Sequence, residues 1–178
     1  MRVAFLRGIN VGGHTVKKGV LCDVFLGLDL TEVATFIASG NVLFEPGATD
    51  TDEELEVRLA AALEKQLGWP VPIFVRSPAE IAAMVEVASA AELVAAAGET
   101  LQVGLCHRAP DADAVARLVG LSTPADLLRV EGRELYWLSR GPVHKSKLTT
   151  PRVERAGGGP VTFRNITTMR RLCNALAG

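Results

Sequence analysis

Two turn signals, Ser39-Gly40-Asn41 and Glu131-Gly132-Arg133, occupy equivalent places in the two halves of this 178-residue chain, each between short apolar runs. Glycine and asparagine tolerate positive φ, so such a tripeptide between apolar runs predicts a β-hairpin. The elements around the two hairpins then fall into the same order twice. In the first half the spacing predicts a strand at Val3–Leu6 and an amphipathic helix at Lys17–Leu28, where Val20, Leu21, Val24, Phe25 and Leu28 recur at three- and four-residue intervals. Strands follow at Val33–Ala38 and Val42–Phe44. Asp50 or Thr51 caps a helix with an acidic first turn, Asp52-Glu53-Glu54, and an apolar stripe of Leu55, Leu59, Leu63 and Leu67. Gly68-Trp69-Pro70 ends that helix, and Val71–Val75 reads as a further strand. This is the split βαβ order of a ferredoxin-like plait.

Ser77-Pro78 opens a helical stretch, serine as cap and proline at the first position, and alanine-rich sequence continues to Gly98. The order then repeats: strand Leu101–His107, helix Asp111–Val119, strands Leu127–Val130 and Glu134–Leu138, helix Ser146–Ala156, strand Val161–Phe163, and a closing helix over Thr167–Leu176. The fold class expected is α+β, two tandem ferredoxin-like plaits joined by alanine-rich helices. The expected bounds are 1–76 for the first plait, 77–98 for the connector and 99–178 for the second plait with its C-terminal helix.

Composition narrows the setting. Hydrophobic residues make up 48% and aromatics only 5%, so alanine, valine and leucine do most of the packing. No apolar run approaches the roughly 20 residues that span a bilayer. Met1–Arg7 is too short for a signal peptide, and a cytoplasmic location is the expectation. Cys22, Cys106 and Cys173 are odd in number and widely spaced, which predicts reduced, buried thiols. The net charge of -1 conceals a division: residues 1–128 hold 9 Lys/Arg against 17 Asp/Glu, and residues 129–178 hold 10 against 3. A basic region of this kind attracts phosphate or RNA, or pairs with the acidic half of its own molecule or of a second copy.

Four short motifs carry a resemblance: Arg7-Gly8-Ile9-Asn10-Val11-Gly12-Gly13, Ser39-Gly40-Asn41-Val42 followed by Phe44, Ser146-Lys147-Leu148, and Thr162-Phe163-Arg164-Asn165. With these in order the chain resembles an uncharacterised bacterial family, domain of unknown function 1697, over nearly its whole length. The resemblance implies paired ferredoxin-like α+β units and brings no established activity. His14 stands where the family usually has lysine, and Ile166-Thr167-Thr168 stands where Trp-Asn-Thr usually follows the Arg-Asn pair.

Gly8-x4-Gly13-His14-Thr15 is one residue from the phosphate-binding pattern G-x4-G-K-[ST], but the missing lysine is the one that neutralises phosphate. No aspartate follows an apolar strand where a magnesium ligand would be needed, and the plait order is not a parallel nucleotide-binding sheet. A simpler anion site remains, built from loop amides around Gly8, Asn10, Gly12 and Gly13 with Arg7, Lys17 and Lys18 nearby. Against it stands the plain alternative that the glycines let a strand turn tightly into a helix. Ser39 and Asn41 present a hydroxyl and an amide at a strand end, or simply form a hairpin turn. Ser39 has no evident base, because His14, His107 and His144 are scattered. No ligand pair has metal-binding spacing, since Cys106 and His107, adjacent on a strand, point to opposite faces; no metal and no cofactor is expected.

Lys145, Ser146 and Lys147, with Arg164 and Asn165, are the strongest polar clusters of the basic region. Ser146 reads either as the cap of a helix or, with its two lysines, as part of a phosphate or carboxylate site. Arg164 and Asn165 at a strand end offer bidentate and amide contacts, or Arg164 pairs with a carboxylate of the fold. The expected function is a binding module for a small phosphate-bearing or other anionic ligand, with a nucleotide or RNA as possible forms. The RNA form lacks support from aromatics, because Tyr136-Trp137 is the only adjacent aromatic pair. The alternatives are an enzyme acting on a small anionic substrate in a cleft between the two halves, with Arg7, Asn10, Ser39 and Asn41 near the chemistry, and a non-catalytic assembly or regulatory protein that forms a homodimer.

Overall fold

The computed structural model describes residues 1–9, 15–37 and 40–177. They form two compact units, Met1–Glu80 and Ile81–Gly178. The first contains β1 (Arg2–Leu6), α1 (Lys18–Leu26), β2 (Thr31–Thr35), β3 (Asn41–Glu45), α2 (Asp52–Leu67) and β4 (Ile73–Arg76). Its sheet runs β2-β3-β1-β4 with every neighbouring pair antiparallel. The strands β1 and β2 thus flank β3, so α1 crosses the sheet, which is the split βαβ arrangement.

Alternation along the strands decides where the core lies. Ala4 and Leu6, Val42 and Phe44, and Ile73 and Val75 share one cluster with Leu21 and Phe25 of α1 and Leu55, Leu59 and Leu63 of α2. Each fully buried side chain of this size contributes about 1.5–3 kcal/mol. The rings of Phe25 and Phe44 meet edge-on at 5.4 Å.

Helix α2 starts where its capping box forms. Thr51 Oγ1 accepts from the Glu54 amide, and the Glu54 carboxylate accepts from the Thr51 hydroxyl at 2.7 Å and the Thr51 amide at 3.1 Å. The side-chain bond from Thr51, and then its backbone bond, hold the Glu54 carboxyl below its ordinary range. A carboxyl lowered on folding adds stability above its unfolded pKa, and that stability is lost as pH falls through the folded value. Thr51→Ala is therefore expected to move the Glu54 titration midpoint upward, read by carboxyl carbon NMR, and to flatten the acid limb of stability against pH. An unmoved midpoint would show that the cap does not set it.

Ser77 opens α3 (Pro78–Val87) with a second reciprocal cap: its hydroxyl accepts from the Glu80 amide, and the Glu80 carboxylate accepts from the Ser77 amide at 2.8 Å. The alanine-rich stretch does not stay helical to Gly98. Ser89 and Ala90 amides bond to Glu86 and Val87 carbonyls, three residues back, and this tightening ends the α geometry. A 3-10 turn follows at Ala91–Leu93.

The second unit repeats the first. It contains β5 (Thr100–Cys106), α4 (Ala112–Val119), β6 (Asp126–Glu131), β7 (Glu134–Ser139), α5 (Thr150–Gly157), β8 (Val161–Asn165) and α6 (Ile166–Leu176). Its sheet runs β6-β7-β5-β8, again antiparallel throughout. Leu118, Leu128, Leu135, Trp137, Leu148, Val153 and Val161 form one core cluster of this unit. Gly104 sits in the middle of β5 because Phe163 needs the space. A Cβ there would come within 2.7 Å of the Phe163 ring, which instead lies edge-on to Trp137 at 5.6 Å.

The repetition extends to single bonds. The Leu6 amide donates to Gly40 O at 2.8 Å in the first unit, and the Cys106 amide donates to Arg133 O at 3.0 Å in the second. Val3 pairs with Arg76 across the sheet, as Val103 pairs with Arg164. Each of these arginines directs Nη1 at the carbonyl of the residue before it, at 2.8 and 2.9 Å. The hairpins differ in loop length, β2 ending at Thr35 before β3 at Asn41 but β6 ending at Glu131 directly before the turn to Glu134, and in the residue at positive φ. Gly132 takes the positive φ expected of it, 58°, whereas in the first hairpin Ile37 does so, at 56°.

Helix α5 begins at Thr150, not at Ser146. Ser146 donates to the buried carboxylate of Asp126 at 2.8 Å and accepts from the Leu148 amide at 2.9 Å, which holds the segment out of a helix. Cys22, Cys106 and Cys173 are free thiols, half-buried where full burial was expected.

Candidate functional site

The carboxyl end of β1 is where the first two sequence motifs meet. Through the Leu6–Gly40 bond, and the bond from the Arg7 amide to Pro72 O at 3.0 Å, the Arg7-Gly8 turn, the Gly40-Asn41 turn and the start of β4 share one end of the sheet. Arg7 is half-buried, and Gly8 is exposed with φ 75°. Asn41 is buried, and its side-chain amide donates to Phe36 O at 3.2 Å, so it braces the hairpin. Asn10, Gly12, Gly13 and Ser39 lie outside the described residues. Helix α1 follows, with Lys17 at its cap position and Lys18 in its first turn.

The remaining sequence candidates lie in the second unit. Lys145 ends a 3-10 turn, and it and Lys147 are exposed. Ser146 is engaged with Asp126, whose other carboxylate oxygen accepts from Trp137 Nε1 at 2.7 Å. Asn165 caps α6 by accepting from the Thr167 amide at 2.8 Å. Arg164 donates to Thr162 Oγ1 at 2.9 Å, and burial pushes its guanidinium down to about 10, still charged at neutral pH. The two halves of the Arg164-Asn165 motif therefore do different things: the arginine is drawn into the sheet, and the asparagine starts a helix.

A feature that sequence reading missed lies at the matching end of the second sheet. A cavity of about 440 Å³ opens beyond β5, bounded by His107 and Arg108 after that strand, Arg117 of α4, and Gly157, Gly158 and Gly159 at the end of α5. Cys106 and His107, read as pointing to opposite faces, both line it, because the strand ends at Cys106 and the chain bends. The run of three glycines was the available signal. Among the described residues no cluster of three or more His, Cys, Asp or Glu has metal-binding geometry, and no helix is long and apolar enough to cross a membrane.

A family model described as a protein of unknown function, DUF1697, matches residues 1–136. The chain belongs to that family. This DUF1697 protein is similar to the solved structure of the conserved bacterial protein SP0830 from Streptococcus pneumoniae, with 20% identity and a TM-score of 0.74. The likeness covers 99% of this chain and 98% of that one, and at this identity it concerns the fold. The sequence matches no curated protein.

Proposed function

We propose that the protein is a binding module for a small phosphate-bearing or other anionic ligand, held where the end of β1 meets the start of α1. The observation that carries this reading is the amino end of α1. Lys17 stands at the cap with no side-chain capping bond, Lys18 follows, and the first turn holds no acid. Thr51 caps α2, Asp111 caps α4 and Asn165 caps α6, and α2 adds three acids; α5 starts without a capping bond or an acid but has no lysine at its amino end. A helix amino end carries partial positive charge, so lysines there are repelled and a bound anion relieves them. Arg7, directly after β1, supplies a further cation at the sheet end shared with Gly40.

The test is calorimetric titration with inorganic pyrophosphate and with adenosine monophosphate. Arg7→Ala, and Lys17→Ala with Lys18→Ala, are each expected to weaken binding by about tenfold, without moving the unfolding midpoint. Affinity indifferent to both variants would overturn the reading. A ribonucleotide oligomer titrated across a salt series decides the scope: steep loss of affinity with salt extends the ligand to RNA, and a flat response restricts it to small anions.

A further inference from the structure

We infer that the cavity at the end of β5 is a second binding site, one that takes a small organic anion with an apolar body, a carboxylate or a phosphate monoester. It goes beyond the loop site proposed above and does not depend on it, since every wall belongs to the second unit.

Three observations converge. The floor is apolar, with Leu118, Leu135, Val153 and Val161 from the core reaching it, and the volume of about 440 Å³ suits a small organic molecule. The charges at its walls favour an anion. Arg108 and Arg117 are two guanidiniums against the single carboxylate of Asp111, and that carboxylate already accepts from the Ala114 amide at 2.7 Å as the cap of α4. Arg117 is held in place, its Nε donating to Ala156 O at 3.0 Å, so one cation is preset at the wall.

The third observation is the glycine run. Gly158 is required by its φ of 80°. Its neighbours are not required by the fold. A Cβ at Gly157 would make only ordinary contacts with Leu118, and one at Gly159 would meet nothing within 4 Å. Two glycines that packing does not demand leave this wall of the cavity bare of side chains, as close approach of a ligand requires.

Phenyl phosphate and benzoate are the probes, with benzyl alcohol as the neutral counterpart, followed by amide chemical shifts and by calorimetry. Saturable shifts at His107, Arg108 and Gly157–Gly159 are expected with both anions. Arg108→Ala should weaken binding by about tenfold, and Gly159→Phe, which plugs open space, should abolish it at an unchanged unfolding midpoint. Should Gly159→Phe disturb folding, Arg108→Ala alone decides. Arg7→Ala should leave these shifts intact, which separates this site from the loop site. No saturation with either anion, equal binding of benzyl alcohol, or affinity lost in Arg7→Ala but not in Arg108→Ala would each overturn the inference.

Discussion

Glu56→Ala is expected to destabilise the first unit by about 3–5 kcal/mol, the range seen when one partner of a buried ion pair is removed. Glu56 is buried on α2, and its Oε1 accepts from the Val75 amide at 2.8 Å and lies 3.9 Å from Nη1 of Arg76, whose side chain is fully buried. Since β4 is an edge strand, the Val75 amide points away from its neighbour β1, and the carboxylate takes the place of a missing strand. Alanine removes both the acceptor and the countercharge. Glu56→Gln keeps the acceptor and should cost less. Adding Arg76→Met to Glu56→Gln should recover much of the loss, because an apolar isostere needs no countercharge. Urea unfolding can follow each unit separately, since the chain has two tryptophans, Trp69 in one unit and Trp137 in the other. In a Trp137→Phe background, a loss in Glu56→Ala under about 1 kcal/mol would show a pair of surface strength.

Asp126→Ala should be as damaging in the second unit, again about 3 kcal/mol or more, since hydrogen bonds to a charged group contribute about 1.5–3 kcal/mol each. Its buried carboxylate accepts from Trp137 Nε1 and from Ser146 Oγ, and Ser146 in turn holds the Leu148 amide. Removing the carboxylate leaves the indole N–H inside the core and releases the segment before α5. Asp126→Asn keeps an acceptor for the indole and should cost roughly 1 kcal/mol. The measurement is Trp137 fluorescence during urea unfolding in a Trp69→Phe background. Equal losses in the alanine and asparagine variants would show that the indole bond contributes little.

These two predictions mark how far each part of the molecule was legible. The hairpin at Gly132, the helix from Thr51 to Gly68 and the order of strands were readable because each depends on neighbours within a few residues. The stripe of Leu55, Leu59, Leu63 and Leu67 predicts a buried face; the first three are fully buried, and Leu67 at the end of the helix packs half-buried against the same cluster. Boundaries failed where a distant partner intervened. Ser146 reads as the start of a helix, yet its hydroxyl is drawn to Asp126, 20 residues earlier in the chain. The motif Ser146-Lys147-Leu148 accordingly has a structural reason that no local pattern shows: the serine ties β6 to the turn, and Leu148 fills the core.

The candidate sites divide in the same way. That Arg7-Gly8 and Ser39-Gly40-Asn41 are unusual is plain from their residues. That Gly40 lies beside Leu6 follows from antiparallel pairing of β1 with β3. The cavity beyond β5 had only the run Gly157–Gly159 as a signal, because His107 and Gly159 are far apart in the chain and come to one cavity only when β5 and β8 pair. Periodicity and turn chemistry specify which elements form and in what order, since they act over a turn of helix or a pair of strand residues. Strand register and helix crossover specify which distant side chains meet, and a slip of one residue would send Glu134, Tyr136 or Arg164 to the opposite face of the sheet. The fold class therefore stood in the sequence, whereas the Glu56–Arg76 pair, the Asp126 bridge and the walls of the cavity came from packing over long range.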